Sequence, residues 1–215
     1  MTLKFKIEAP KIPTRLESAN FQDVYYEEDP FLSNCTIENA RLDHEEIDQL
    51  VLSKIVFKNV TFIGSSFPRV DMTDVVFENC DLSNANFTEG IIHRVTFREC
   101  KLMGVDFSEA NLGNVSFIES LANMSDFVDS RLKQVKFNQT SLQNANFSDC
   151  KLVKVNFDQC DLNEIDFTQT NLKGINISSC TFTRINVSLE NLYGCEVSRE
   201  QAIGFASLLG LKVNE

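Results

Sequence analysis

The stretch Val75-Val76-Phe77-Glu78-Asn79-Cys80-Asp81-Leu82-Ser83-Asn84-Ala85-Asn86-Phe87 sets Phe77, Leu82 and Phe87 five residues apart. That spacing belongs neither to an α-helix, which repeats about every 3.6 residues, nor to a strand, which repeats about every two. Going back, the same step passes through Met72, Phe67, Phe62, Phe57, Leu52, Ile47, Leu42, Ile37 and Leu32. Forward it meets Ile92, Phe97, Leu102, Phe107, Leu112 and Phe117 and runs on to Val197. In all 34 positions keep the register, and among them only Ala122 is small. Two places before each large centre the chain is small or β-branched, as at Val75, Cys80, Ala85, Gly90 and Val95. One place before, Asp or Asn recurs, as at Asp81, Asn86, Asp106, Asn111 and Asn146. A repeat covering three quarters of the chain decides the architecture before any single element does.

The fragments Ala85-Asn86-Phe87, Ala110-Asn111-Leu112 and Ala145-Asn146-Phe147 carry a recognisable motif, roughly A-[DN]-[LF]-x-x. In this the sequence resembles the pentapeptide repeat proteins over residues 32–197. The resemblance implies an all-β, right-handed quadrilateral β-helix with four pentapeptides, or 20 residues, per coil. The residues support the coil length independently. Phe57, Phe77, Phe97, Phe117, Phe137 and Phe157 form one column at a spacing of 20, and Phe67, Phe87, Phe107, Phe127, Phe147 and Phe167 a second. The two columns are ten residues out of step and belong on opposite faces, with mostly Leu on the faces between. Stacked Phe rings contribute about 0.5–1.5 kcal/mol per pair beyond burial and carry no polar atom that needs a partner. That accounts for 18 Phe beside three Tyr and no Trp. About 8.5 coils with strands about 4.8 Å apart predict a rod about 40 Å long.

Outside the register lie residues 1–31 and 198–215. Leu3-Lys4-Phe5-Lys6-Ile7 alternates and reads as a short strand, and the acidic Glu27-Glu28-Asp29-Pro30 as a loop or bulge. Glu45 falls on an inward small-residue position, so its coil is expected to be distorted; Ser120-Leu121-Ala122-Asn123-Met124-Ser125 is expected to form a local bulge mid-rod. Ser198-Arg199-Glu200-Gln201 fits a capping box and Gly210 a helix stop, with Leu211-Lys212-Val213 a possible strand beyond. The helix between them is apolar on more faces than one coil can cover. Ile203, Phe205, Ala206, Leu208, Leu209 and Leu211 are therefore expected both to cap the rod and to form a homodimer.

Chemistry-bearing residues are sparse. All seven cysteines sit on the small inward position, without C-x-x-C spacing or neighbouring His, which reads as reduced thiols in a cytoplasmic core. No nucleophile–base pair and no phosphate loop is present, so no enzyme activity, metal or cofactor is expected. The net charge of −11 argues against direct contact with nucleic acid or an anionic membrane, and no apolar run is long enough to span one. The acidity has a pattern instead. Glu89, Glu109, Asp129 and Asp149 recur two places after the centre on one face, and Glu99 and Glu119 on the opposite face, as acidic ladders. Arg131 and Lys151 lie close enough in sequence to neutralise the lower rungs. Similarity to the Qnr and MfpA branch of the family implies a rod that mimics DNA, binds type II topoisomerase (gyrase or topoisomerase IV) and protects it against fluoroquinolones. A scaffold for a different protein partner is the alternative.

Overall fold

A computed structural model describes residues 6–25 and 29–213. Eight strands form one parallel sheet in sequence order: β1 Glu17–Ser18, β2 Phe31–Glu38, β3 Val51–Lys58, β4 Asp71–Glu78, β5 Ile91–Arg98, β6 Asn111–Ile118, β7 Arg131–Asn138 and β8 Lys151–Asp158. From β2 onward each strand pairs with the next at a shift of 20, so that Phe57 faces Phe77, Phe77 faces Phe97 and Phe97 faces Phe117. Two further faces complete each coil through single bridges, Asp81 to Lys101 and Asn86 to Asp106 among them. The result is the expected quadrilateral parallel β-helix.

The interior explains the residue choice. Successive rings of the first Phe column lie 4.7–5.1 Å apart from Phe57 to Phe157, tilted by no more than 14°. The second column stacks at 4.4–6.0 Å from Phe67 to Phe147, and Phe167 follows at 5.7 Å with its ring tilted by 46°. The columns meet edge-on across the axis, with Phe107 touching both Phe97 and Phe117 at 6.0 Å. Stacking along the rod and edge-to-face contact across it are the two arrangements that an aromatic quadrupole favours. The small inward positions do a different job. Their hydroxyls and thiols donate to carbonyls, Thr170 Oγ1 to Phe147 O at 2.5 Å and Cys150 Sγ to Phe127 O at 3.0 Å. Burial raises the Cys35, Cys150 and Cys195 thiols to about 11, and all seven cysteines are free.

Each corner turns on the residue two places after a centre. There 26 non-glycine residues between Asn34 and Gln169 hold φ of 49–60°, the left-handed region that costs most side chains about 1–2 kcal/mol. The amide at each such corner is tied to the coil above: Glu109 N donates to Val128 O at 2.8 Å and Glu89 N to Ser108 O at 3.0 Å.

The ends depart from the repeat. A 3-10 helix, Phe21–Tyr25, buries Phe21 against Phe57, Phe62 and Phe67 and so plugs the first coil. Near the other end Glu164 N bonds Arg184 O, one residue further on than the usual step of 19, while Leu162 N to Thr181 O and Phe167 N to Asn186 O on either side keep that step, so the distortion is local. The run 171–178 forms no strand, and the regular strands stop at β8, short of the 8.5 coils expected. Hydrogen bonding at the coil period nevertheless continues, from Ile177 N to Glu196 O at 2.9 Å.

Three expectations are corrected. Ser120–Ser125 does not bulge: Ala122 N and Met124 N bond Ser141 O and Gln143 O in the regular pattern, because a small centre leaves the backbone path unchanged. Glu45 does not break its coil: Ile47 N still reaches Ser66 O at 2.9 Å, while the Glu45 carboxylate turns outward to accept from Gln22 Nε2 and the Tyr25 hydroxyl. Burial first, and then this carboxylate, push Tyr25 up to about 12. Residues 211–213 form no strand; the Leu211 amide turns back to Ala206 O at 3.2 Å instead of entering a ladder. Of the expected N-terminal strand, Lys6 and Ile7 are not in strand geometry and Leu3 to Phe5 lie outside the described residues; so do Glu27 and Glu28 of the expected acidic loop.

Two stability outcomes follow. Phe107→Ala, which removes a buried ring touching four others, is expected to cost about 3–5 kcal/mol in urea unfolding, with the loss localised to neighbouring coils. Glu109→Asn, which suits the left-handed corner and removes like-charge repulsion, is expected to stabilise by about 0.5–1 kcal/mol at low salt. A lowered urea midpoint for that variant would contradict the account of the corners.

Candidate protein-binding surfaces

The four faces of the rod differ in charge because each repeats its own sequence column. On the face centred on Phe87 to Phe167, the outward side chains come from residues 86–90, 106–110, 126–130, 146–150 and 166–170. These segments hold Glu89, Asp106, Glu109, Asp126, Asp129, Asp149 and Asp166 and no Lys or Arg. Glu89, Glu109, Asp129 and Asp149 are exposed corner residues, at φ of 56–60°, one above another at the coil period. Their spacing is set by main-chain hydrogen bonds rather than by side-chain preference. Glu99 and Glu119 occupy the corresponding corners of the opposite face, at φ of 52° and 51° and exposed. None of these six pairs with a cation within 4.0 Å among the described residues.

A second acidic column stands beside the first and was missed in the sequence. Asp106, Asp126 and Asp166 each accept from the amide two residues on, at 2.7–2.9 Å, which fixes the carboxylates half-buried along the edge of the same face. The signal was present in the Asp/Asn preference one place before the centre, which marks a turn as readily as a charge. At the N-terminal end the face closes at Arg69, which is bound to Asp48.

The neighbouring face carries the opposite sign over two coils. Arg131 and Lys151 are direct partners across β7 and β8, with Lys133 and Lys154 nearby on the same strands. Arg131 and Lys151, expected to neutralise the lower rungs, instead stack on each other, and among the described residues neither is in an ion pair with the ladder.

At the C-terminus, α1 (Arg199–Phe205) begins in the expected capping box, with the Ser198 side chain accepting from Gln201 N at 3.2 Å. The Gln201 side chain serves two structures at once. Its oxygen accepts from Ser198 N at 2.8 Å, and its amide donates to Ile177 O and Cys180 O at 3.0 and 2.9 Å. Phe205 packs on Phe182 at 5.8 Å and Ala206 is half-buried, so these two of the six apolar residues singled out contribute to the cap. Ile203, Leu208, Leu209 and Leu211 are exposed, at 49%, 46%, 58% and 58%. Gly210 holds φ of 72° at the stop. No helix among the described residues is long and apolar enough to cross a membrane.

Comparison with known proteins agrees with the geometry. Residues 70–147 and 90–167 match the family described as pentapeptide repeat region. The uncharacterised protein YisX of Bacillus subtilis (strain 168) is 41% identical over 71 residues, 33% of this chain and 33% of that protein, so the chain spans one third of the length of this curated relative. Among solved structures, the pentapeptide repeat protein HetL of the cyanobacterium Nostoc sp. strain PCC 7120, involved in heterocyst differentiation regulation, aligns with a TM-score of 0.51 at 18% identity, over 78% of this chain and 83% of that one. Full-length QnrB1, a plasmid-mediated fluoroquinolone resistance protein, aligns with a TM-score of 0.38 at 15% identity, over 82% of this chain and all of that one. With its five-residue register, its 20-residue coil and this match, residues 70–167 of the chain form a pentapeptide repeat region.

Proposed function

We propose that the protein is a non-enzymatic interaction rod whose acidic face occupies the basic DNA-binding surface of a type II topoisomerase, gyrase or topoisomerase IV. The observation that carries the reading is the cation-free face, with seven carboxylates over residues 86–170 in columns set by the coil. Stacked like charges oppose folding by about 0.2–1 kcal/mol per adjacent pair, so a face of one sign held over five coils works against stability. A basic cleft shaped for a regularly spaced polyanion is the partner that would offset this. The layout of continuous repeats followed by an apolar helix is that of the Qnr and MfpA branch, and it supports the same reading. Long-range attraction between the two surfaces would speed association and make it sensitive to salt.

A second reading rests on the basic run Arg131, Lys133, Lys151 and Lys154. A rod carrying both signs on adjacent faces suits a scaffold for a different protein partner as well as it suits a mimic of a uniformly charged duplex.

The readings separate in one assay. Purified protein is expected to inhibit gyrase supercoiling at micromolar concentration and low salt, to lose potency as salt rises, and to restore activity in the presence of a quinolone. Reversal of Glu89, Glu109, Asp129 and Asp149 to Lys is expected to abolish all three effects. No inhibition by the wild-type protein rejects the topoisomerase reading, and inhibition unchanged by the reversal removes the ladder from it.

The exposed Ile203, Leu208, Leu209 and Leu211 support a homodimer through the C-terminal helix, with Phe205 and Ala206 shaping its base. Light scattering is expected to give twice the chain mass for the wild type. The variant Ile203→Glu/Leu209→Glu is expected to give the chain mass with the rod's circular dichroism unchanged. A wild-type monomer at tens of micromolar would end the proposal.

A further inference from the structure

The N-terminal segment does not join the coils but lies along them. Lys6 O accepts from Gln134 Nε2 at 3.0 Å, Glu8 N donates to Asn114 Oδ1 at 3.0 Å, and Lys11 N donates to Asp74 Oδ1 at 2.8 Å. Gln134, Asn114, Arg94 and Asp74 are successive rungs of one corner column, each at a left-handed φ of 50–60°. Three rungs at about 4.8 Å make about 14 Å, and five extended residues reach about 16 Å, so the strap is nearly straight and parallel to the rod axis.

The corner side chains are built for this contact. Corner residues elsewhere point into solvent, yet here Asp74 and Asn114 are buried to 3% and 9% exposure. Asp74 is held from behind by Arg94, whose Nε and Nη2 lie 2.6 and 2.9 Å from its two oxygens. The three strap bonds involve only main-chain atoms of the strap. Pro10, which has no N–H to satisfy, falls between the two amides that are used. No residue from 6 to 13 is buried, and the Glu8 and Lys11 side chains stand 55% and 68% exposed. Ile7, Pro10, Ile12 and Pro13 are half-buried but none packs into the core, so the strap is held mainly by hydrogen bonds, the kind of segment that opens locally without unfolding its support.

We propose that Asp74, Arg94, Asn114 and Gln134 form a docking track for an extended peptide main chain, occupied here by residues 6–11 of the same chain and open to the same segment of a second copy. Recognition is through main-chain amides and a carbonyl at positions 6, 8 and 11, with proline tolerated at position 10. The track lies on a different corner from the acidic ladder, so its occupancy is independent of the topoisomerase reading.

The test uses the full chain. Glu8→Pro/Lys11→Pro removes both strap donors from exposed positions and vacates the track. A fluorescent peptide of residues 6–13 is expected to bind this variant at least tenfold more tightly than it binds wild type, read by anisotropy. Adding Asn114→Ala is expected to weaken that binding by about five- to tenfold, the worth of one hydrogen bond. In wild type, the Glu8 and Lys11 amides are expected to exchange hydrogen more slowly than in the free peptide, and Asn114→Ala alone to release the Glu8 amide while the Phe117 and Phe137 amides stay protected. The proposal fails if wild-type strap amides exchange at the free-peptide rate. It fails equally if the peptide binds neither protein, binds both alike, or ignores Asn114→Ala.

Discussion

The interior of this rod admits four large side chains per coil and little else, and the other features follow from that constraint. A ring in one coil rests on the ring of the next at about 5 Å, so the Phe columns and the strand spacing are the same distance expressed twice. Because nothing polar and bulky fits, the positions between the large residues are left to Val, Ala, Cys, Ser and Thr, and those with a hydroxyl or thiol return it to a carbonyl of the wall. A narrow square also needs a sharp corner every five residues, which places a non-glycine residue in left-handed geometry at nearly every turn. Charge, polarity and binding capacity are then confined to the outside and arrive already arranged in columns.

The repeat was legible because it is nearest-neighbour physics: each coil touches only the coils beside it, so one period encodes both pairing and packing. Columns of Phe at a spacing of 20 therefore located the faces before any strand was assigned. What the repeat does not encode was not legible. Ala122 looked like a break because a centre was small, yet pairing is made by the backbone, and a missing side chain there leaves every hydrogen bond in place. Glu45 looked like a distortion because it sits on an inward position, yet a long side chain on the first coils can turn out to Gln22 and Tyr25, residues whose own positions no period predicts. The strap was invisible for the same reason. Its partners lie 63, 106 and 128 residues away, and nothing in Lys6 to Lys11 shares a pattern with Asp74 or Gln134.

The acidic face shows the limit from the other side. Its corner carboxylates could be listed from the sequence, but Asp106, Asp126 and Asp166 were hidden inside a turn preference, since Asp before a centre serves the amide two residues on whether or not its charge is used. Both acidic columns lie on one surface. A carboxylate fixed by its own backbone gives up little side-chain entropy when it meets a partner, so a rigid ladder presents its charge at lower cost than the same residues on a mobile loop. Gln201 applies similar economy at the C-terminal end, where one amide closes both the helix and the last coil.

The strap also has a temporal meaning. A chain made from its N-terminus can wind each coil onto the one before it as residues emerge, because every coil needs only its predecessor. The strap cannot follow that order. Its first residues are synthesised before any coil exists, and their last partner, Gln134, appears 128 residues later. The strap is thus made before the coils that hold it, and its three bonds can close only in the order in which Asp74, Asn114 and Gln134 emerge.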